Sequence, residues 1–176
     1  MRRLIGVLCL CALGFAFPAC KRREKARVQT VEETSIGLAS TVSMADPKQA
    51  AQLAKGFYDI EQNAWRWTMG HFSVVLRPPA GAAQKGATLV VHFAVPGSIT
   101  ERLKQVALSA TVNGTALPAE TYSKEGEQVY AKDVPASALA GDAVTVNFSL
   151  DKFVPAGTID QRELGIVVTS IGLEAK

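Results

Sequence analysis

Residues 56–76 read GFYDIEQNAWRWTMGHFSVVL and hold both tryptophans of the chain, directly ahead of the first clear strand pattern. Trp65 and Trp67 lie two residues apart, so an extended backbone places both indoles on one face and Arg66 on the other. The alternation of apolar residues then continues to Leu76. This stretch predicts the edge or corner of a β-domain that is anchored by indole rings.

Short alternating segments separated by turn residues follow this stretch to the C-terminus. Asn113-Gly114 is the strongest two-residue hairpin signal, and it joins two of these segments. The predicted strands are 72–77, 87–94, 106–112, 117–122, 128–132, 144–150 and 164–173. The sequence therefore predicts a mainly β fold, a two-sheet antiparallel β-sandwich with little helix.

One short helix is predicted ahead of the sandwich. Asp46 is an N-cap with Pro47 at the first helical position, and Gln49 completes the capping-box spacing. Gly56 is expected to end this helix, which gives residues 47–55. The other expected elements are a short strand at 34–42 and one helical turn at 135–140. In the last strand, Leu164, Ile166, Val168 and Ser170 are expected to share one face.

The composition fits one domain with appendages, since the 176 residues are 48% hydrophobic and 20% charged. Residues 1–19 have the pattern of a signal peptide, with Arg2 and Arg3 ahead of an apolar run. That run has about sixteen residues, fewer than the roughly 20 that cross a bilayer, so cleavage is expected. Without Arg2 and Arg3, 17 basic and 16 acidic residues remain, so most of the apparent basicity belongs to targeting.

Cys20 would be the single cysteine of the mature chain, because Cys9 and Cys11 lie in the apolar run. The segment Phe17-Pro18-Ala19-Cys20 resembles the lipobox of bacterial lipoproteins, in which the cysteine is diacylated and becomes the new N-terminus. The resemblance implies lipid attachment at Cys20, with a lipid bilayer as partner. It also implies a place in the bacterial cell envelope, at the outer membrane or the periplasmic face. Secretion with an unmodified thiol and an uncleaved anchor are the alternatives.

Residues 20–45 form the expected tether, and they include the basic run Lys21-Arg22-Arg23-Glu24-Lys25-Ala26-Arg27. One interpretation is that this run binds anionic headgroups. The other is a solvated spacer that its charge keeps extended. Because the run has no interleaved aromatic residues and belongs to an exported chain, it is not expected to bind nucleic acid. The β-sandwich is assigned to residues 46–176.

The order of features in residues 56–174 is similar to non-catalytic β-sandwich modules of the galactose-binding-like, jelly-roll type found in bacterial envelope and polysaccharide-associated proteins. The matching segments are Gly56-Phe57-Tyr58 with Glu61, Trp65-Arg66-Trp67-Thr68, Val112-Asn113-Gly114, Phe153-Val154-Pro155-Ala156, and Asp160-Gln161-Arg162-Glu163-Leu164-Gly165 with Ser170-Ile171. The resemblance implies a binding or assembly module, since such modules bind glycans in some proteins and serve as packing domains in others. A fold by itself does not name a ligand.

A sugar-binding platform is one interpretation of the tryptophan stretch. The candidate ligand-binding residues are Tyr58, Glu61, Trp65, Arg66 and Trp67, with His71 beside them. Planar aromatic faces would stack on a sugar ring, while Glu61 and Arg66 would bond its hydroxyls. The alternative is structural: both indoles pack at a corner of the fold, and Arg66 forms an ion pair with Glu61.

Asp160, Arg162 and Glu163 precede the last strand and are expected to form an ion pair that pins this loop. The alternative is a calcium site, which needs six to eight oxygen ligands. Asp151, Asp160 and Glu163 are not spaced as a calcium-binding loop. The only histidines are His71 and His92, and neither has a cysteine partner, so we expect no zinc site, no other metal and no cofactor.

The sequence carries no nucleophile elbow or other catalytic signature, so no enzymatic activity is expected. The leading hypothesis is a membrane-tethered, non-catalytic lipoprotein whose sandwich binds a cell-envelope glycan or a partner protein. The alternative is a purely structural envelope subunit with no carbohydrate ligand.

Overall fold

A computed structural model describes residues 37–176. The predicted signal peptide, Cys20 and the basic run lie outside the described residues. The first strand, β1, spans Thr41–Ser43 and pairs with the last strand, so the sandwich includes residues ahead of the expected boundary at 46. Within residues 37–176, no helix combines the length and the apolar character that a bilayer crossing requires.

The described chain is mainly β, and its strands pair antiparallel, as the sequence predicts. After β1 the strands are β2 Leu53–Phe57, β3 Arg66–Leu76, β4 Ala87–Val95, β5 Val106–Val112, β6 Thr115–Tyr122, β7 Gly126–Val134, β8 Val144–Leu150 and β9 Val167–Ala175. The helices are α1 Ala82–Lys85 and α2 Gly97–Leu103, with 3-10 helices at Pro47–Gln52 and Ala136–Leu139.

The strands form two sheets that share β3. The first sheet has the order β7-β4-β9, with β1 and the start of β3 along the other side of β9; the second has the order β6-β5-β8-β3-β2. Arg66 and Trp67 pair with Val168 and Val167 of β9, whereas the residues from His71 onward pair with β8. β3 therefore passes from one sheet to the other, as strands do at sandwich corners. The two-sheet sandwich and the corner at the tryptophan stretch are confirmed.

The loop ahead of β9 packs against this corner. The Thr68 amide donates to the Ile166 carbonyl at 2.9 Å, and the Ile166 amide donates to Thr68 Oγ1 at 3.2 Å. The Gly70 amide donates to Glu163 Oε1 at 2.7 Å. The Phe153 ring covers Gly70 so closely that a Cβ there would overlap it. The corner thus needs both a glycine and the neighbouring loop.

The core lies between the two sheets and is built from alternate residues of each strand. Phe72 and Phe148 stack with ring centroids 4.8 Å apart, and Phe57 meets Phe72 edge to face. Each fully buried aliphatic or aromatic side chain stabilises the fold by about 1.5–3 kcal/mol. Further residues of this core are Leu89, Val91, Phe93, Val95, Leu108, Val112, Val144, Val146, Ile171 and Leu173.

The predicted helix 47–55 is wrong in its last three residues. Asp46 does cap a helix, since its side chain accepts from the Lys48 amide at 2.9 Å, but this is a 3-10 helix that ends at Gln52. The side chain of Gln52 is buried, and its Nε2 donates to the backbone carbonyls of Ala39 and Val75. From Leu53 onward the chain is β2, because its backbone pairs with β3.

Gly56 lies within β2 and does not end a helix. Its φ of +77° belongs to a bulge in the pairing with β3, where a Cβ would overlap the His71 carbonyl. Glycine is required there because other residues rarely adopt this φ and none fits the space.

The predicted face of the last strand is also wrong at Ser170. His92 pairs with Ser170 and Phe93 with Val168, so Thr169 is an extra residue in β9. Such a bulge reverses the alternation beyond it. Ile171 therefore faces the core with none of its surface exposed, and Ser170 faces outward.

The Asn113-Gly114 hairpin between β5 and β6 is confirmed. Asn113 and Gly114 have φ values of 45° and 84°, the positive pair that a tight two-residue turn demands. Farther along, two tyrosines join the outer strands of the two sheets. Tyr122 donates to the Val129 carbonyl at 3.1 Å, and Tyr130 donates to the Pro118 carbonyl at 2.9 Å. These bonds link β6 to β7.

Candidate ligand-binding groove

An open groove of about 1110 Å³ lies on the outer face of the first sheet. Strands β3, β9, β4 and β7 form its floor, and the loop ahead of β3 forms one end. Its volume lies just above the range of about 300–1,000 Å³ that is typical of ligand-binding sites in proteins.

One row of cross-strand partners runs the width of the groove. Trp67 is opposite Val167, Val167 is opposite Ala94, and Ala94 is opposite Glu127. Neighbouring strands are about 4.8 Å apart, so the backbones of Trp67 and Glu127 are separated by about 14 Å. The row therefore has an indole at one end, small apolar residues in the middle and a carboxylate at the other end.

A second row places polar groups on the floor. His92 is opposite Ser170 on one side and Val129 on the other. Ser170 reaches this face because of the bulge at Thr169, whose Oγ1 donates to the His92 carbonyl at 3.1 Å. Val129 is 47% exposed, which is unusual for an aliphatic side chain in this fold. The floor thus combines imidazole, hydroxyl and apolar groups.

Both indoles line the groove, as their spacing predicts, and each is half-buried. Trp67 also packs against the core. Trp65 is held by a tight loop, because its backbone forms two hydrogen bonds with Glu61, at 2.9 and 3.3 Å. Gln62 and Asn63 turn that loop with positive φ values of 49° and 54°.

Arg66 points to the opposite face and is 8% exposed. Its Nη1 donates to the Tyr58 carbonyl at 2.8 Å, and its Nε has no partner among the described residues. The structure therefore does not bring Arg66 into the groove. The expected ion pair between Arg66 and Glu61 is not formed either.

Glu61 pairs with Arg162 instead, through a 2.7 Å bond from Nη1 to Oε1. The same guanidinium donates to both oxygens of Asp160, at 3.2 and 2.9 Å, and lies 5.1 Å from the centre of the Tyr58 ring. We call Glu61, Arg162, Asp160 and Tyr58 the Arg162 cluster. The hydrogen bonds from Arg162 lower the pKa of Asp160 from 3.8 to about 2. The bonds to Asp160 and Glu61 raise the pKa of Arg162.

Other sequence candidates lie elsewhere. Glu163 does not bond Arg162 and accepts from Gly70 at the corner of the fold. His71 lies on the outer face of the second sheet beside Phe153, at a centroid distance of 6.3 Å. It lines a hollow of about 370 Å³ together with Lys55. Within residues 37–176, no three His, Cys, Asp or Glu side chains are grouped to hold a metal ion.

Several groove residues were missed by sequence reasoning. His92, Glu127, Gln128 and Ser170 line the groove, yet no motif marks them. His92 alone lies between apolar residues, Val91 and Phe93, on a predicted strand, and that outward position was the available signal. Strand order was needed to place them beside the tryptophans.

No protein family and no curated protein matches the sequence. Solved structures of similar shape include a family 35 carbohydrate binding module from Clostridium thermocellum, with a TM-score of 0.44, 14% identity and coverage of 77% of this chain and 98% of that one. Another is the CBM36-1 domain of a multidomain xylanase from the hindgut metagenome of Trinervitermes trinervoides, with a TM-score of 0.43, 7% identity and coverage of 77% and 96%. The fold assignment rests on the strand pairing described above.

Proposed function

We propose that this protein is a non-catalytic lipoprotein of the bacterial cell envelope that binds a glycan in the groove of its first sheet. The observation that carries the proposal is the pair of half-buried indoles, Trp65 and Trp67, on one open face. Indole rings offer apolar faces to the carbon-bound hydrogens of a sugar ring at low cost in conformational entropy.

The rest of the groove supplies the polar groups that such a ligand needs. Glu127, Gln128, His92 and Ser170 offer acceptors and donors for hydroxyl groups. Glu61 has one oxygen engaged by Arg162 and a second oxygen that is free to accept from a ligand. An open groove across four strands also suits an extended chain better than a single small molecule.

Binding of oligosaccharides to the purified full-length protein in detergent tests this proposal. Titration calorimetry would compare the wild type with Trp65→Ala, and with His71→Ala as a matched control on the other sheet. Loss of a central aromatic contact should weaken binding by about tenfold or more. His71→Ala should bind as the wild type does. A folded wild type that binds no envelope oligosaccharide would rule the glycan out.

A partner protein is the second candidate ligand, and the exposure of Val129 favours it. Val129 lines the groove together with Ala94, Pro96 and Val167, and contiguous exposed apolar patches mark protein interfaces. Cross-linking in cells from position 129 would identify such a partner. A stoichiometric protein cross-link, together with failure to bind oligosaccharides, would replace the glycan proposal by this one.

The anchor has its own test. If Cys20 is acylated, the protein should sediment with the membrane fraction, and mass spectrometry should find a lipid-modified cysteine at the mature N-terminus. Two or more acyl chains hold a protein firmly, whereas one is marginal. Cys20→Ser should move the protein to the soluble fraction. A wild type that is already soluble would exclude the lipid anchor.

A further inference from the structure

The ionisable side chains that line the groove are Glu61, His92 and Glu127. No lysine or arginine side chain of residues 37–176 lines it. The net charge of the groove is therefore negative, although the whole chain has a net charge of +3. A groove of this kind repels anionic ligands and attracts cationic ones.

Glu127 is the groove carboxylate that is available to pair with a ligand. At the other end Glu61 is paired with Arg162, which it shares with Asp160, whereas Glu127 belongs to none of the four ion pairs formed within residues 37–176. Glu127 is also exposed. A second carboxylate lies close to this end, because a Cβ on Gly97 would come within 2.7 Å of Glu125 Oε2. Lys124 is exposed in the same turn but does not line the groove.

The position of Glu127 in the groove also indicates the length of the ligand. Glu127 and Trp67 end the same cross-strand row, about 14 Å apart along the backbone. A single sugar ring on the indoles does not reach the carboxylate, but a chain of several rings does. We infer that the groove takes a glycan chain that carries protonated, unacetylated amino groups, with a sugar ring on the indoles and an ammonium group at Glu127. This inference deepens the proposed function and rests on it.

The chemistry favours an amine over other substituents at this end. An ammonium group donates three hydrogen bonds and pairs with a carboxylate, whereas an acetamido group is neutral and a carboxylate is repelled. Because Glu127 is exposed, the attraction corresponds to a preference of about 1.5- to 5-fold. Salt should reduce it, since exposed charges are screened.

Calorimetry with the full-length protein tests the inference with three tetrasaccharides: glucosamine, N-acetylglucosamine of the same linkage, and galacturonate. The pH is kept below the pKa of the sugar amine. We expect the wild type to bind the glucosamine tetramer several-fold tighter than the acetylated one, and the galacturonate tetramer most weakly. Glu127→Gln should bind the first two equally, while Glu101→Gln, an exposed change on α2, should keep the wild-type preference.

His92 is the other titratable group on the floor, so His92→Gln is measured in parallel, and its preference for the amine should equal or exceed that of the wild type. Equal affinity of the wild type for the amine and the acetylated tetramer overturns the inference and leaves the glycan proposal standing. If Glu127→Gln still prefers the amine tetramer to the acetylated one, the inference is likewise overturned and the glycan proposal still stands. Failure to bind any of the three, or any other oligosaccharide, overturns the proposed function itself. Circular dichroism checks that each variant is folded.

Discussion

Arg162 donates from Nη1 to Oε1 of Glu61 at 2.7 Å, across 101 residues of sequence. Through this bond the loop ahead of β9 holds the loop ahead of β3, which carries Trp65 into the groove. Tyr58 lies against the same guanidinium. The Arg162 cluster is thus a structural support for one end of the groove, and Arg162 is a positioning residue that does not itself line it.

Arg162→Gln should therefore weaken glycan binding while the protein stays folded. The side chains of the cluster are about one-third exposed, so the loss of stability should be at most about 1 kcal/mol. The loop that carries Trp65 loses its support, and affinity should fall by about two- to fivefold. Thermal unfolding and calorimetry on the same samples measure the two effects.

Lys132→Gln is the matched control for this prediction. Lys132 forms an ion pair with Glu120 at 2.5 Å, with similar exposure, but neither residue lines the groove. This variant should lose comparable stability and keep its affinity. Equal affinities of Arg162→Gln and the wild type would show that the cluster does not position Trp65.

The low pKa of Asp160 predicts how the cluster responds to acid. Its pKa is about 2 in the folded protein and 3.8 ordinarily, because Arg162 donates to its ionised form. A carboxyl whose pKa is lowered by folding stabilises the protein fully above about pH 4 and loses this contribution as the pH falls through about 2. Asp160→Asn should therefore be less stable than the wild type at neutral pH.

Denaturant unfolding of both proteins from neutral pH to pH 2 measures this effect. The difference in stability should be constant above about pH 4 and shrink toward pH 2. High salt should reduce it at neutral pH, since the pair is close to solvent. A difference that does not change with pH would mean that the Asp160 carboxylate contributes through its shape and not its charge.

Gly56→Ala should destabilise the sandwich strongly, by about 2 kcal/mol or more, because both its φ of +77° and its contact with the His71 carbonyl exclude a Cβ. Gly114→Ala is the control. Gly114 has a similar φ of +84° but open space around it, so only the backbone strain of about 1 kcal/mol applies. Urea unfolding compares them, and equal losses would show that β2 shifts away from β3 to accept the methyl group.

The parts of the fold that were predicted correctly depend on local sequence. The β5 and β8 strands match their predicted ranges because their apolar residues alternate without interruption between turns. The hairpin at Asn113-Gly114 follows from two residues that accept positive φ. Asp46 and Pro47 likewise identified the start of a helix, though not its type or its end.

The parts that were missed depend on partners distant in sequence. The sequence of β2 resembles the end of a helix, and only its pairing with β3 makes it a strand. No neighbouring residue marks Gly56 as a bulge. The bulge at Thr169 exists because β4 and β9 shift register there, so the face of Ser170 was predicted wrongly. α2 was not predicted because Pro96-Gly97 resembles a simple turn, although Ile99 and Leu103 have helical spacing.

The groove was half predictable for the same reason. A spacing of two put Trp65 and Trp67 on one face, which is a local property of an extended chain. Their neighbours on β4, β7 and β9 depend on strand order, so the sequence alone did not place Glu127 and His92 beside the tryptophans. Likewise, Glu61 has an arginine nearby in sequence at Arg66, yet its partner is Arg162.

β3 begins in one layer with Trp67 and continues in the other with Phe72, only five residues later. Because the two sheets share this strand, we expect the domain to unfold in a single step. A ligand that holds Trp67 in place also stabilises the strand that carries Phe72 and its stack on Phe148. A ligand that binds in the groove should therefore raise the melting temperature of the whole domain. A thermal-shift screen is then sufficient to search for that ligand.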